Sequence, residues 1–299
     1  MSKKTVFAAI VGRPNVGKST LTNALLGEKI SIISKKPQTT RNRITGILTK
    51  DDIQYVFFDT PGLHLPKSLL GKYMDKSAKK TIGEVDVVIL MTMPSAIIGE
   101  VERETLETTK AAKIPVILVI NKIDTIQKEK ILEIIKVYSE KYEFSAILPI
   151  SAAKADGVEL VISELGKHLT DLTEGEFFFP EDMITDQPER QIAAEMIREK
   201  ALRLLDAEVP HGIGVSIEEF NEQKNLSIRA EIFCEKESHK SIIIGKNGDM
   251  IKKIGTYARS DLEKFFNIKI YLDLWVKVKP KWREKPGILS NLGYNEKNL

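Results

Sequence analysis

The segment at residues 12–19, with the sequence GRPNVGKS, constrains this chain more than any other stretch. It fits the phosphate-binding pattern G-x-x-x-x-G-K-[ST], and it lies between an apolar, β-branched run at 5–11 and a helical pattern at 19–26. A strand, a glycine-rich turn and a helix in this order direct backbone N–H groups and a helix N-terminus at a phosphate group. We therefore predict a P-loop in which Lys18 reaches the β- and γ-phosphates of a nucleotide and Ser19 binds Mg²⁺.

The length and the periodicity of the chain predict two domains. A chain of 299 residues is long for one core, and its 42% hydrophobic and 29% charged residues are ordinary for a globular protein. Strand and helix patterns alternate up to residue 169, which predicts an α/β fold: a mixed, mostly parallel sheet covered by helices, followed by a smaller α+β domain. Because the periodicity then breaks, we predict a first domain at 3–170, a linker at 171–187, a second domain at 188–281 and a C-terminal tail at 282–299.

The composition excludes several classes of protein. No apolar run approaches the roughly 18 residues that a membrane-spanning helix needs, and the first residues contain no signal-peptide core. We therefore expect a cytoplasmic protein. Cys234 is the only cysteine, which excludes a disulfide within the chain and a cysteine-based metal site.

The sequence DTPG at 59–62 follows an apolar strand pattern, the position at which a parallel sheet places its ligands. The carboxylate of Asp59 can hold Mg²⁺, usually through water, and the N–H of Gly62 can meet a γ-phosphate. A lone D-x-x-G is a common turn. At about 40 residues after a P-loop, it predicts a γ-phosphate sensor.

The sequence NKID at 121–124 also follows an apolar strand pattern and predicts which base is bound. The carboxylate of Asp124 can accept hydrogen bonds from N1–H and the 2-amino group of guanine. Adenine has neither donor, and the unpaired carboxylate would lower its affinity by about one to two decades. We expect Asn121 to tie this loop to the P-loop and the stem of Lys122 to cover the base. The sequence SAAK at 151–154 is a weaker signal for backbone contacts to guanine O6.

The predicted nucleotide contacts come from these four loops. They are Gly12, Arg13, Pro14, Asn15, Val16, Gly17, Lys18, Ser19, Thr20, Asp59, Thr60, Pro61, Gly62, Leu63, Asn121, Lys122, Ile123, Asp124, Ser151 and Ala152.

The second domain carries the sequence SIIIGKNGDMIKKI at 241–254, in which a GxxG loop joins two helical patterns. The surrounding segment, 236–285, contains thirteen lysines and arginines but six acidic residues, which favours a phosphate-rich partner. KH modules use such a loop to clamp about four nucleotides of a single strand, and the predicted order of elements resembles the type II KH arrangement. The predicted RNA contacts are Ile244, Gly245, Lys246, Asn247, Gly248, Lys252 and Lys253.

The order of these motifs resembles the translation-factor-like GTPases, and the flanking residues are similar to the Era family of bacterial ribosome-assembly GTPases. The similar stretches span nearly the whole chain: PQTTRNRI at 37–44, FFDTPGLHLPKSLLGKYM at 57–74, TDQPERQIAAEMIREK at 185–200 and LDLWVKVKPKWR at 272–283.

This resemblance implies GTP or GDP and Mg²⁺ as ligands, the 3′ end of 16S ribosomal RNA and the 30S precursor as partners, and occasional peripheral contact with the inner membrane. We expect a monomer. The resemblance also makes the loop at 29–43 switch I, in which Thr39 or Thr40 supplies a Mg²⁺-binding hydroxyl, and we favour Thr40. The predicted metal ligands are then Ser19, Thr40 and Asp59, and the predicted catalytic residues are Lys18, Thr40 and Gly62.

Several residues depart from simple expectations. Leu63 stands where many regulatory GTPases have a water-orienting glutamine, so we predict slow intrinsic hydrolysis. Arg41 as an arginine finger and His64 as a general base are alternatives to solvent-facing switch residues. Asn247 replaces the glycine expected at the third position of the loop in the Era family. With its basic neighbours, Trp282 is a candidate for RNA or membrane contact, as is Trp275, for which packing in the sheet is favoured.

Two other functions remain open at this point. One is a P-loop ATPase or small-molecule kinase, against which NKID argues. The other is an RNA-binding assembly factor in which the nucleotide is only a structural plug.

Overall fold

A computed structural model of the chain describes residues 2–34, 36, 38–63, 68–173, 175–222 and 226–294. Its N-terminal part alternates strands and helices. They are β1 (Lys4–Gly12), α1 (Lys18–Leu26), β2 (Ile44–Lys50), β3 (Ile53–Asp59), α2 (Leu69–Ile82), β4 (Val87–Thr92), α3 (Glu100–Ala112), β5 (Val116–Ile120), α4 (Lys128–Ser139), β6 (Ala146–Pro149), α5 (Val158–Leu165) and β7 (Thr170–Asp171).

These strands form one sheet in the order β2-β3-β1-β4-β5-β6, and β7 pairs with the start of β1. All neighbours are parallel except the β2–β3 hairpin and the β1–β7 pair. Successive residues of β1 point to opposite faces, so Ile10 enters one core and Val11 the other. Because both faces are covered, the strands read as continuous apolar runs, and the predicted α/β fold is confirmed.

The C-terminal part is a smaller α+β unit. Its elements are α6 (Glu189–Leu204), β8 (Gly214–Glu222), β9 (Leu226–Cys234), α7 (Glu237–Ile244), α8 (Asp249–Phe266), β10 (Ile270–Val278) and α9 (Pro286–Asn291). The sheet order is β10-β9-β8, with β10 parallel and β8 antiparallel to β9. One face of this sheet shares a core with α6 and α8, and this confirms the fold predicted for the second unit.

The predicted linker packs against the first sheet. The backbone of Phe179 exchanges two hydrogen bonds with the side chain of Gln54, at 2.9 and 3.1 Å. The Phe178 ring packs edge-on against Phe7, with ring centroids 5.2 Å apart. Helix α5 ends at Leu165, four residues earlier than the pattern predicts, because the chain turns there to form β7.

The residues predicted as a C-terminal tail begin with a buried side chain. Trp282 is fully buried, donates a hydrogen bond of 2.8 Å to the carbonyl of Gly212, and packs edge-on against Phe233. Leu70 and Met74 of α2 belong to the same cluster. The expectation that Trp282 is available for RNA or membrane contact is therefore wrong, because its apolar surface joins the second unit to α2. Within the described part of the chain, no helix is long and apolar enough to cross a membrane.

Candidate nucleotide and RNA sites

The P-loop conformation depends on glycine at Gly12 and Gly17, whose φ angles are +146° and +106°. A Cβ atom on Gly17 would lie 2.2 Å from the amide nitrogen of Asn121. Lys18 is buried, and its ammonium group donates to the carbonyls of Gly12 and Arg13, both at 3.1 Å. Burial lowers the pKa of Lys18 to about 8, against the opposing effect of the Asp59 charge. An anionic phosphate is the ligand that would stabilise this ammonium group.

Three oxygen donors predicted to bind Mg²⁺ lie together beside the P-loop. The hydroxyl oxygens of Ser19 and Thr40 are 2.8 Å apart. Asp59 is fully buried, and neither of its carboxylate oxygens has a hydrogen-bond partner among the described residues. Burial raises the pKa of Asp59, and the charge of Lys18 opposes this rise. A buried, unpaired carboxylate beside two hydroxyls fits a hard divalent cation such as Mg²⁺.

The two adjacent threonines differ in where their hydroxyls point. The Thr39 hydroxyl donates to the carbonyl of Lys36 at 2.6 Å, whereas the Thr40 hydroxyl lies against Ser19. The geometry therefore favours Thr40 as the Mg²⁺ ligand.

The NKID loop and the SAAK loop are fastened to the P-loop by one side chain. The amide nitrogen of Asn121 donates to the carbonyl of Val16 at 2.8 Å, and its amide oxygen accepts from the N–H of Ala152 at 2.9 Å. Lys122 donates to the carbonyl of Asn15 at 2.7 Å. These contacts bring the P-loop and the two predicted base-binding loops to one edge of the sheet.

Asp124 is held in the ionised form that base recognition needs. The Ser151 hydroxyl donates to its carboxylate at 2.8 Å, and Lys154 lies 3.6 Å from the other carboxylate oxygen. The hydrogen bond from Ser151, with a smaller effect of the Lys154 charge, lowers the pKa of Asp124. An ionised carboxylate only accepts hydrogen bonds, which matches the two donors of guanine.

The DTPG turn is folded against the P-loop. The Thr60 hydroxyl and N–H both donate to the carbonyl of Ile10, at 2.8 and 3.3 Å. A Cβ atom on Gly62 would lie 2.9 Å from the Pro14 ring, so only glycine allows this approach. Leu63 is buried in the core that α2 and α3 share with the sheet. The close approach of Gly62 places its backbone beside the predicted phosphate site.

The side chains of two arginines in these loops are held by other parts of the protein. The Arg13 side chain pairs with buried Glu102 of α3, with hydrogen bonds of 2.9 and 2.5 Å, which leaves its backbone for a phosphate. Arg41 is neither solvent-facing nor directed at the nucleotide site. It is buried, donates to the carbonyl of Ile213 at 2.7 Å, and lies over the Trp282 ring. His64 lies outside the described residues.

One wall of the predicted nucleotide site comes from the second unit of the protein. A cavity of about 780 Å³ borders the P-loop, switch I and Gly62, and the second unit closes it with Leu202 and Arg203 of α6 and with Asp206, two residues after that helix. No local pattern connects these residues to a nucleotide.

The GxxG loop joins α7 to α8 in a conformation that requires positive φ angles. Gly245 has φ of +78°, and a Cβ atom there would lie 2.7 Å from the Cβ of Met250. Asn247 has φ of +53°, a region that asparagine tolerates better than most residues. This explains how the loop keeps its shape without the glycine expected at that position.

A groove of about 400 Å³ lies beside this loop, between α8 and β10. Lys252 is the one predicted RNA contact that lines it. Thr256 and Arg259, four and seven residues further along the same helix face, were missed, although the helical period could have identified them. The lining residues are Ile251, Lys252, Gly255, Thr256, Arg259, Leu272 and Leu274.

The fold and these two sites define a P-loop GTPase with an attached KH domain. Two family models match accordingly: that of the 50S ribosome-binding GTPases over residues 7–122, and that of the KH domain over residues 208–283.

Full-length relatives identify the family. The chain is 51% identical to the GTPase Era of Ruminiclostridium cellulolyticum, over 98% of each chain, and 51% identical to that of Clostridium kluyveri, over 97% of this chain and 99% of the relative. A crystal structure of Era in complex with MgGDPNP and nucleotides 1506–1542 of 16S ribosomal RNA superposes with a TM-score of 0.93 at 42% identity, covering 98% of this chain and 99% of the other. An Aquifex aeolicus Era variant bound to GDP and AlF₄⁻ gives 0.92 at 42% identity, covering 97% and 99%. The chain belongs to the Era family of GTPases.

Proposed function

We propose that this chain binds GTP and GDP with Mg²⁺, hydrolyses GTP to GDP and phosphate, and binds the 3′ end of 16S ribosomal RNA during maturation of the 30S subunit. The observation that carries this proposal is the convergence of Lys18, Asp59 and Asn121 at one edge of one sheet. The RNA part is supported by the GxxG loop and its basic groove, and by the similar Era structure that holds nucleotides 1506–1542 of 16S ribosomal RNA.

The principal predicted site residues each have a place in this function. Lys18 and the backbone of the P-loop hold the phosphates, the N–H of Gly62 meets the γ-phosphate, and Asp124 reads the guanine. Ser19, Thr40 and Asp59 would hold Mg²⁺, which when bound neutralises charge that develops on the β- and γ-phosphates. In the second domain, the GxxG backbone and Lys252 hold the RNA backbone, and Arg259 joins them.

We further propose that intrinsic hydrolysis is slow. Leu63 has no hydrogen-bonding side-chain group and is buried. Arg41 is committed to the carbonyl of Ile213. Neither residue therefore orients the attacking water or stabilises charge in the transition state, and this leaves the water to backbone groups or to another side chain.

The proposed mechanism is a switch. GTP orders Thr40 and residues 59–62, the linker carries the change, and the RNA groove becomes accessible. The domain boundaries that we propose for this switch are those predicted above: 3–170, 171–187, 188–281 and 282–299.

The proposed working partner is the 30S precursor, which the protein would meet in the cytoplasm as a monomer. A peripheral contact with the inner membrane would depend on exposed lysines such as Lys277 and Lys281, because Trp282 is buried. Contact through lysines alone is electrostatic, so we expect it to weaken with salt.

Two assays test the enzymatic part. Displacement of a fluorescent GDP analogue by GTP, and not by ATP, is expected, and equal displacement by ATP would favour a P-loop ATPase. Release of phosphate from GTP by the full chain, and its loss in Lys18→Ala, is also expected. Intact RNA binding without detectable turnover would favour a nucleotide that serves only as a structural plug.

A further inference from the structure

Helix α6 of the KH domain holds the backbone of switch I at two separate points. At the first, the Glu199 carboxylate accepts from the N–H of Ile33 at 2.9 Å, and Arg203 donates to the carbonyl of the same residue at 3.1 Å. At the second, the Arg198 guanidinium donates to the carbonyl of Thr39. The described part of switch I between these points leads directly to Thr40.

The two principal side chains of this contact are buried charges. Arg198 is 1% exposed and Glu199 is fully buried. Arg198 also pairs with Glu195, at 2.5 and 2.8 Å, and Glu199 pairs with Lys29 at 2.6 Å. A buried charge is costly unless its hydrogen bonds are satisfied, and charge-assisted bonds are roughly twice as strong as neutral ones. The Nε and Nη2 atoms of Arg198 make such bonds, to Glu195 and to the Thr39 carbonyl, whereas its Nη1 atom has no partner among the described residues.

The contact at Thr39 controls the neighbouring residue through the peptide bond. The carbonyl of Thr39 and the nitrogen of Thr40 belong to one planar unit, so holding that oxygen fixes the plane from which Thr40 begins. The Thr40 hydroxyl is then placed 2.8 Å from that of Ser19. On the other side of Thr40, the side chain of Arg41 is held by the carbonyl of Ile213. Both neighbours of Thr40 are thus fastened to the KH domain.

We propose that Arg198 is a positioning residue of the GTPase site. By holding the Thr39 carbonyl, it keeps the Thr40 hydroxyl where Mg²⁺ is bound, and it makes the affinity for GTP with Mg²⁺ depend on the docked KH domain. This inference rests on the proposed function, because it assumes that Thr40 binds the ion of a GTP complex.

Helix α6 packs against α8, and α8 carries one side of the proposed RNA groove. Asp261 of α8 pairs with Lys29 of the GTPase domain at 2.8 Å, and it also pairs with Lys200 of α6. Lys252 and Arg259, which line the groove, belong to α8. The residues that hold switch I and those that line the groove are therefore parts of one packed pair of helices.

The test compares nucleotide affinities of the full chain and its variants. Dissociation constants for fluorescent GDP and for a fluorescent non-hydrolysable GTP analogue are measured with Mg²⁺ and with EDTA. Arg198→Met is expected to weaken binding of the analogue with Mg²⁺ by about tenfold, the effect of losing one charge-assisted hydrogen bond, while GDP binding and binding in EDTA stay unchanged. Arg198→Lys keeps the charge without the planar donor pair and is expected to give a smaller loss.

A matched control is Arg229→Met, because the ion pairs of Arg229, with Glu219 and Asp273, lie within the KH domain. This variant is expected to keep both affinities. The ³¹P signal of the γ-phosphate in the bound analogue gives a second readout, since it reports the surroundings of that phosphate directly. We expect it to shift in Arg198→Met and to stay unchanged in the control.

An equal loss of GDP and analogue affinity, or no loss of either, would overturn the inference. If Arg198→Met does not fold, Arg198→Lys is compared with the wild type instead, and the inference again requires a loss of affinity for the analogue with Mg²⁺ without an equal loss for GDP. Failure of the wild-type chain to bind GTP would instead reject the proposed function. If the wild-type chain hydrolyses GTP but the Arg198 variants bind the analogue as tightly as the wild type does, only the role of Arg198 is rejected.

Discussion

The guanidinium of Arg198 donates a hydrogen bond to the backbone carbonyl of Thr39, although 159 residues separate the two along the chain. Thr39 precedes the threonine that faces Ser19, and Arg198 belongs to a helix of the KH domain. A cavity wall formed by the same helix borders the P-loop. The cavity beside the P-loop is therefore lined by residues of both units.

The first prediction concerns the P-loop. Gly17→Ala is expected to lower GDP affinity by more than about tenfold, because the new methyl group would displace the Asn121 amide and strain a backbone with φ of +106°. Fluorescent GDP titration measures this loss. Gly27→Ala is the matched control, since Gly27 also has a positive φ but no atom lies within 4 Å of the added Cβ. It is expected to lower stability without changing affinity, and a comparable loss of affinity in both variants would contradict the prediction.

The second prediction concerns base recognition. Asp124→Asn is expected to lower GTP affinity by about one to two decades, because an amide cannot accept both hydrogen bonds from guanine. The same amide can donate to the O2 of xanthine, so affinity for XTP is expected to rise. Competition between GTP and XTP measures both effects. If the Asp124→Asn variant still prefers GTP to XTP, Asp124 does not recognise the base.

Functional features could be predicted from the sequence where they depend on residues that are close together along the chain. The P-loop, DTPG and NKID each lie directly after an apolar strand, and a parallel sheet brings such strand ends together, so their convergence could be predicted. The contacts of Arg41 and Arg198 could not, because residues about 160 to 170 positions apart leave no periodic signal in either segment. The burial of Trp282 could not be predicted for the same reason, since its partners lie in β9 and α2.

The third prediction concerns the ion-pair cluster of Lys29, Glu199 and Asp261. Burial opposes ionisation of both carboxylates, but the hydrogen bonds that they accept outweigh this effect. Glu199 accepts from Lys29 and from the N–H of Ile33. Asp261 accepts from Lys200 and Lys29. The net effect lowers both pKa values from their ordinary 4.5 and 3.8. Groups with a lowered folded-state pKa stabilise the fold above their ordinary pKa, and this stability is lost as the pH falls through the folded-state pKa. The cluster is thus fully stabilising at neutral pH and weakens as the pH falls below the ordinary pKa values of the two carboxyl groups.

Lys29→Met tests this dependence. Because Lys29 is 35% exposed, solvent screening reduces its contribution, and we expect a loss of about 1 kcal/mol at pH 7, or roughly 2–4 °C in melting temperature. Arg203 and Lys200 remain beside Glu199 in this variant and limit the loss. Thermal unfolding from pH 7 to about pH 3.5 should show the difference from wild type shrinking as the carboxylates become protonated. A difference that grows with acidity would contradict the assignment.

The fourth prediction separates two neighbouring faces of α8. Arg259→Gln is expected to weaken binding of single-stranded RNA and to reduce the salt dependence of binding by about one unit of log–log slope, because Arg259 lines the groove. Lys253→Gln removes an exposed charge that does not line it, and an effect of about twofold or less is expected. Anisotropy titrations at several salt concentrations measure both. Equal losses would mean that the helix face assigned here to the RNA is wrong.

The proposed control of RNA binding by the nucleotide state can be measured in a single titration. Fluorescence anisotropy of a labelled single-stranded RNA with the sequence of the 16S 3′ end is recorded against the full chain with GDP, then with a non-hydrolysable GTP analogue, at two salt concentrations. We expect the RNA to bind at least about fivefold more tightly with the analogue than with GDP, and we expect binding to be lost when Gly245→Asp and Gly248→Asp are combined. Equal affinity in the two nucleotide states would contradict coupling at the RNA step and would move the target of the switch to another partner.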